Sequence, residues 1–244
     1  MSFNYPYRVL YSDIDKFKQA TFKALLQYCE DIAVKHSDDL DLGLNYYYRE
    51  QKVWALTKWD IKFYRFPNYD ANINITTNPS AFKKYVGERF FSVKDANGDL
   101  LAEGFTEWLF LSLTDKRPLV IPEIMYERFG IDREGVPSHE FERLKEIEYH
   151  TSTEFKVRRA DIDTNQHVNN ISYIEWALEV LPESITNNYQ LSELRVDYKR
   201  ETFYGERISS EVSVEFQNDS AVCHHRIREN DKVCTLLKTV WTKK

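Results

Sequence analysis

The feature that most constrains this chain is that it repeats itself. Asp13-Ile14-Asp15 precedes an amphipathic run from Thr21 to His36, and Asp161-Ile162-Asp163 precedes a similar run from Val168 to Leu181, an offset of 148. IKFYRFPNYDANI (61–73) lies over VDYKRETFYGERI (196–208) at an offset of 135, and Trp108 over Trp241 at 133. Anchors that keep their order mark a duplication, and the shrinking offsets put insertions in the first copy, chiefly DDLDLGLNYYYREQ (38–51).

Each copy reads as a short strand, a helix and then several strands. Phe22, Leu25, Leu26, Cys29, Ile32 and Ala33 recur at spacings of three and four, which predicts a helix over 21–36 with one buried stripe. Ile171, Ile174, Ala177, Leu178 and Leu181 repeat the pattern, with Pro182 just past its end. Alternating, β-branched and aromatic segments predict strands over 53–65, 71–77, 85–95 and 100–113 in the first copy, and over 191–201, 207–216, 221–229 and 232–242 in the second. The run 95–99 (DANGD) is a hairpin turn with Gly98 where a positive φ is needed, and Glu229-Asn230-Asp231 is its shorter counterpart. Between the copies, Pro118, Pro122 and Pro137 among dense charges suit a linker with one short helix. The expected class is α+β: two antiparallel sheets, each wrapped around its own long helix and paired as a pseudo-dimer.

Composition then narrows the function. A chain that is 42% hydrophobic and 15% aromatic can bury a core. No uncharged run approaches the ~18 apolar residues that span a bilayer. The start, MSFNYPYRVL, lacks the apolar segment of a secretion signal, so the expected location is the cytoplasm. Three scattered cysteines (Cys29, Cys223, Cys234) suit neither a disulfide framework nor a metal site, and no metal or cofactor is expected. A net charge of −6 and the lack of a basic stripe interleaved with aromatics argue against nucleic acid.

The copies differ where chemistry is concerned. Asp163 matches Asp15, but Asn165 matches Phe17, His167 matches Gln19, and Glu201 matches Phe66. Packing needs are shared by both copies, so polar residues confined to one of them point to a single site of chemistry. Asp163, Asn165 and His167 alternate, and in an extended strand-to-helix loop they share a face. Asn169 or Asn170 is placed to cap the following helix, whose first N–H groups form an oxyanion site. A thioester suits so sparse a site, because its leaving thiol has a reference pKa of about 8.5 and departs with little protonation. Each residue also has a plainer role: His167 as a cap, Asp163 as a turn former like Asp15, and Glu201 as half of a surface ion pair.

DIDTNQHVNNISYIEW (161–176) resembles the DxDxNxHVNNxxYxxW signature of the acyl-acyl carrier protein (acyl-ACP) thioesterases of plants and bacteria. YKRET (198–202) resembles that family's downstream element with a catalytic glutamate, and the likeness extends to WALTKWDIKFYRFP (54–67). The resemblance implies a tandem, or double, hotdog fold. An N-terminal domain (1–130) would shape the acyl pocket, with Trp54 and Trp59 as its candidate lining, and a linker (131–150) would lead to a C-terminal catalytic domain (151–244). It places Asp163, Asn165, His167 and Glu201 at the catalytic positions. Plant members commonly carry Cys directly after the glutamate, whereas this chain has Thr202, so the expected nucleophile is water and not a thiolate.

Glu201 and His167 are then expected to deprotonate water, with Asp163 and Asn165 positioning the imidazole and the carbonyl and the N–H groups of Val168 and Asn169 taking the oxyanion. The division of labour stays open, since Asp163 is also placed to be the base or a covalent nucleophile. The implied partner is an acidic acyl carrier protein, met by Arg158, Arg159 and Arg200, and the oligomeric state is open between monomer and homodimer. Rival readings are an acyl-CoA thioesterase on the same fold and a non-catalytic acyl-binding module. A hotdog hydratase fits less well, because its D-x4-H pattern is absent.

Overall fold

Both long helices form where the apolar stripes lie. The computed structural model describes residues 1–133 and 138–244, so Pro137 lies outside the described residues. Contacts divide the chain into two units, Met1–Thr57 with Phe63–Glu140, and Lys58–Lys62 with Phe141–Lys244.

The first unit contains β1 (Phe3–Arg8), α1 (Phe22–Asp39), α2 (Leu44–Arg49), the first half of β2 (Lys52–Phe63), β3 (Asn72–Lys83), β4 (Val86–Asp95), β5 (Leu100–Ser112) and α3 (Glu123–Phe129). Its strands lie side by side in the order β1-β3-β4-β5-β2. Thr21 caps α1 by accepting the Ala24 N–H at 3.1 Å, and Leu25, Leu26, Cys29 and Ile32 are fully buried along one face against β3 and β1. α2 forms inside the Tyr-rich insertion of the first copy. α3 is not a loose linker helix: Met125 and Phe129 are buried with Phe110 and Leu42.

The second unit contains β6 (Thr151–Lys156), α4 (Asn170–Glu179), α5 (Glu183–Asn188), β7 (Tyr189–Tyr198), β8 (Arg207–Gln217), β9 (Ser220–Glu229) and β10 (Lys232–Lys243). The order β7-β10-β9-β8-β6, read in reverse, repeats that of the first unit: first strand at one edge, second strand at the other, and a meander between. Residues 58–62 of β2 count with this unit because they pair with β7, Trp59 opposite Val196. The whole of that strand was expected in the first copy, and pairing overrides chain order there. The segment from Phe141 is likewise held against this unit, with Leu144 buried and Glu142 bridging Arg195 and Lys238.

Two buried histidines give a test of this core. Burial, with Arg89 close by, pushes His36 down to about 4, and burial pushes His225 down to about 3. Both are neutral in the fold but protonate below pH 6.5 when unfolded, so their stabilisation is complete above pH 6.5 and declines as pH falls. By pH 5 the loss should be about 2 kcal/mol per histidine. Denaturant midpoints measured from pH 7.5 to 5 should show this slope, and His225→Gln should flatten it. A slope unchanged in that variant counts against the assignment.

Candidate active site

The duplicated loops share a main-chain frame. In the first, Asp15 N–H donates to Gln19 O (2.8 Å), Thr21 N–H to Asp13 O (2.8 Å) and Ala20 N–H to Pro67 O (2.8 Å). In the second, Asp163 N–H donates to His167 O (3.0 Å), Asn169 N–H to Asp161 O (2.8 Å) and Val168 N–H to Thr202 O (3.0 Å). These pairs stand at the same offsets of 148 and 135. A bulge places a carbonyl at the end of each second strand: Leu101 O takes the N–H groups of Tyr64 and Arg65, and Cys234 O those of Lys199 (2.8 Å) and Arg200 (3.1 Å). β7 therefore ends at Tyr198, three residues before the expected end, and Glu201 stands on the loop that follows.

On this frame the four expected side chains come together. His167 Nε2 lies 3.4 Å from Glu201 Oε1, and its Nδ1 lies 3.8 Å from Asp163 Oδ1. Asp163 accepts the Asn165 N–H at 2.7 Å and the Asn165 side-chain amide at 3.5 Å. The side chain of His167 is 17% exposed and that of Glu201 is 43% exposed, so solvent reaches the pair. The route to this geometry differs from the expected extended loop. Gln166 takes a left-handed φ of 67°, and Gln166 N–H donates to Asp163 O, so a tight turn folds His167 back onto Asp163.

One expectation needs correction. Val168 and Asn169 were expected to offer N–H groups to an oxyanion, but Thr202 O and Asp161 O already accept them. The loop needs those bonds to hold its ends. Asn169 acts as the helix cap instead, accepting the Ile171 N–H at 2.9 Å. Among the basic residues, Arg158 is paired with the buried Asp161 at 2.6 Å and Arg200 lies 3.7 Å from Glu229, while both arginine side chains remain exposed. Arg159 stacks over the ring of Tyr204 at 4.5 Å.

The pocket candidates separate. Trp54 donates to the Tyr47 hydroxyl at 2.9 Å, stacks on Phe82 and packs at a tilt against Phe110 in the aromatic cluster of the first unit. Trp59 is buried in the second unit beside Phe141 and Leu144. Tyr173, the tyrosine of the 161–176 signature, had no role assigned from the sequence: its hydroxyl accepts the Thr202 N–H at 2.9 Å and lies 2.7 Å from Thr202 Oγ1. Burial pushes this phenol up to about 12, which keeps it protonated. All three cysteines are buried, and burial pushes Cys223 up to about 12 and Cys234 to about 11, so none supplies a thiolate. Among the described residues no cluster of His, Cys, Asp and Glu is arranged to hold a metal, and no helix is long and apolar enough to cross a membrane.

The chain is similar to known proteins along most of its length. The chain is 26% identical over 182 residues to an oleoyl-acyl carrier protein thioesterase of Coriandrum sativum, covering 70% of this chain and 49% of that protein. It is 25% identical over 240 residues to a palmitoyl-acyl carrier protein thioesterase of Gossypium hirsutum, covering 90% of this chain and 58% of the relative. The chain thus spans about half to three fifths of the length of these curated relatives. Among solved structures, a candidate oleoyl thioesterase of Lactobacillus plantarum superposes with a TM-score of 0.92 at 25% identity, covering 100% of this chain and 96% of that one. An acyl-ACP thioesterase of Bacteroides thetaiotaomicron shares the fold with a TM-score of 0.85 at 20% identity, covering 98% of this chain and 97% of that one. Family models match both halves, the acyl-ACP thioesterase N-terminal domain at residues 1–129 and the C-terminal domain at 144–243, and the chain belongs to the acyl-ACP thioesterase family.

Proposed function

We propose that this protein hydrolyses the thioester of a fatty acyl chain carried on acyl carrier protein, releasing free fatty acid in the cytoplasm during fatty acid biosynthesis. The observation that carries the reading is the imidazole of His167 set between the carboxylates of Glu201 and Asp163 in one copy only, with Gln19, Phe66 and Asp15 at the matching places of the other. Glu201 and His167 activate a water, and Asp163 holds the ring from its other side. Asn165, oriented by Asp163, turns its amide toward the thioester carbonyl and meets the oxyanion. Because the leaving thiol has a low pKa, no separate strong acid is required. The repeated strand order supports reading the chain as two tandem hotdog domains, 1–130 and 151–244 joined by 131–150, with the aromatic cluster around Trp54 as part of the acyl pocket.

A panel of acyl groups on carrier protein and on coenzyme A, assayed for free thiol, tests the reading. Faster release from the carrier supports it. Release from coenzyme A alone assigns the chain to acyl-CoA hydrolysis, and tight acyl binding without thiol release makes it a binding module. For docking, Arg159 is a candidate cation beside the site, stacked on Tyr204. Arg159→Glu should raise KM about tenfold for the carrier-linked substrate and leave a small acyl thioester within twofold. An equal rise for both substrates argues against carrier contact there.

A further inference from the structure

We infer that the Tyr173 hydroxyl and Thr202 form a clamp that positions Glu201 against His167, making both positioning residues for the hydrolysis proposed above, on which this inference rests. The clamp ties together the two segments that carry the site. Thr202 follows Glu201 and is fully buried, and Tyr173 is buried on α4, three residues beyond its first. The Thr202 carbonyl accepts from Val168, the neighbour of His167, while its N–H donates to the Tyr173 hydroxyl. The 2.7 Å contact between the Tyr173 hydroxyl and Thr202 Oγ1 closes the set. Thr202 is therefore bonded through its carbonyl, its amide and its side chain, leaving the adjacent Glu201 little freedom other than its own side-chain rotamers. On the far side of the same loop, Tyr198 donates from its hydroxyl to Asn170 O at 2.9 Å.

The duplication supplies an internal control. At the offsets that align the copies, Tyr173 corresponds to Leu25 and Thr202 to Pro67. The bond from Ala20 N–H to Pro67 O is kept in the first copy, but proline has no N–H to donate and leucine no hydroxyl to receive it. Both copies thus keep the bond that closes the fold, and only the copy with the reactive side chains adds the clamp. A device needed for folding alone would be expected in each.

The test is a double-mutant cycle on kcat, with amide exchange as a readout that does not need turnover. Tyr173→Phe and Thr202→Val should each lower kcat roughly tenfold with KM within twofold, whereas Thr202→Ser, which keeps the hydroxyl, should stay within threefold of the parent. In a Glu201→Gln background, Tyr173→Phe should change the remaining kcat less than twofold, because the residue it positions is gone. The same fall with and without Glu201, or full activity in both Tyr173→Phe and Thr202→Val, overturns the inference. Hydrogen exchange at the Thr202 amide should accelerate in Tyr173→Phe, and unchanged exchange also overturns it. If the parent protein hydrolyses no acyl thioester, the proposed function fails, and the exchange measurement still decides whether the clamp exists.

Discussion

Glu201→Gln should lower kcat for thioester hydrolysis about a thousandfold while leaving KM within a few-fold. The carboxylate lies 3.4 Å from His167 Nε2 and is open to solvent, so it can accept a proton from a water lying between substrate and imidazole. General-base assistance of this kind contributes about 10²–10⁴ in rate. The amide of glutamine keeps the shape and one acceptor oxygen but cannot take the proton, which separates chemistry from packing. Thr202, Lys199 and Arg200 are tied by main-chain bonds on either side of Glu201, so the loop is expected to survive the change. Near-parental kcat would remove Glu201 from the mechanism and leave Asp163 as the base. Single-turnover hydrolysis in ¹⁸O-water separates direct attack from a covalent route. Direct attack leaves label only in the fatty acid, and label in the Asp163 carboxylate would establish an acyl-enzyme.

The second large effect is expected at His167. His167→Ala should cost two to three orders of magnitude in kcat, since it removes the group that links the two carboxylates. Combined with Glu201→Gln, it should fall little below the worse single variant, because residues acting on one water do not contribute independently. Multiplying effects would mean that imidazole and carboxylate serve different steps. Rapid-quench kinetics on both single variants and the double variant gives the comparison directly.

Much of this arrangement was legible in the residues. Helix positions followed from spacing: α1 buries the expected stripe, and α4 buries its stripe together with Ser172, Tyr173 and Trp176. The pairing of Glu201 with His167 followed from aligning the copies and asking where polarity had entered one and not the other. What escaped depended on bonds between distant residues. Val168 and Asn169 looked like uncommitted donors because their acceptors, Thr202 O and Asp161 O, are apparent only once the loop has closed. The turn at Gln166 was read as extended because glutamine carries no signal for a positive φ, whereas Gly98 does. The split of β2 was invisible because the alternation of a strand does not say which neighbour it pairs with. Tyr173 stood in the sequence only as the tyrosine of the 161–176 signature, with no role of its own, and its hydroxyl acquires meaning only beside Thr202.

The two bulge carbonyls, Leu101 O and Cys234 O, hold equivalent corners in equivalent fashion, yet the residue one place beyond each corner's last bonded amide has gone opposite ways. Phe66 turns inward, 8% exposed and stacked on Phe63, while Glu201 turns out toward water. Installing asparagine, histidine and glutamate at 17, 19 and 66 would therefore not awaken a second centre. The new carboxylate would be thrust into an aromatic seat, without a hydroxyl at 25 or an amide hydrogen at 67 to steer it outward. Divergence of these twin corners has become irreversible by simple exchange of side chains, although their backbones never parted.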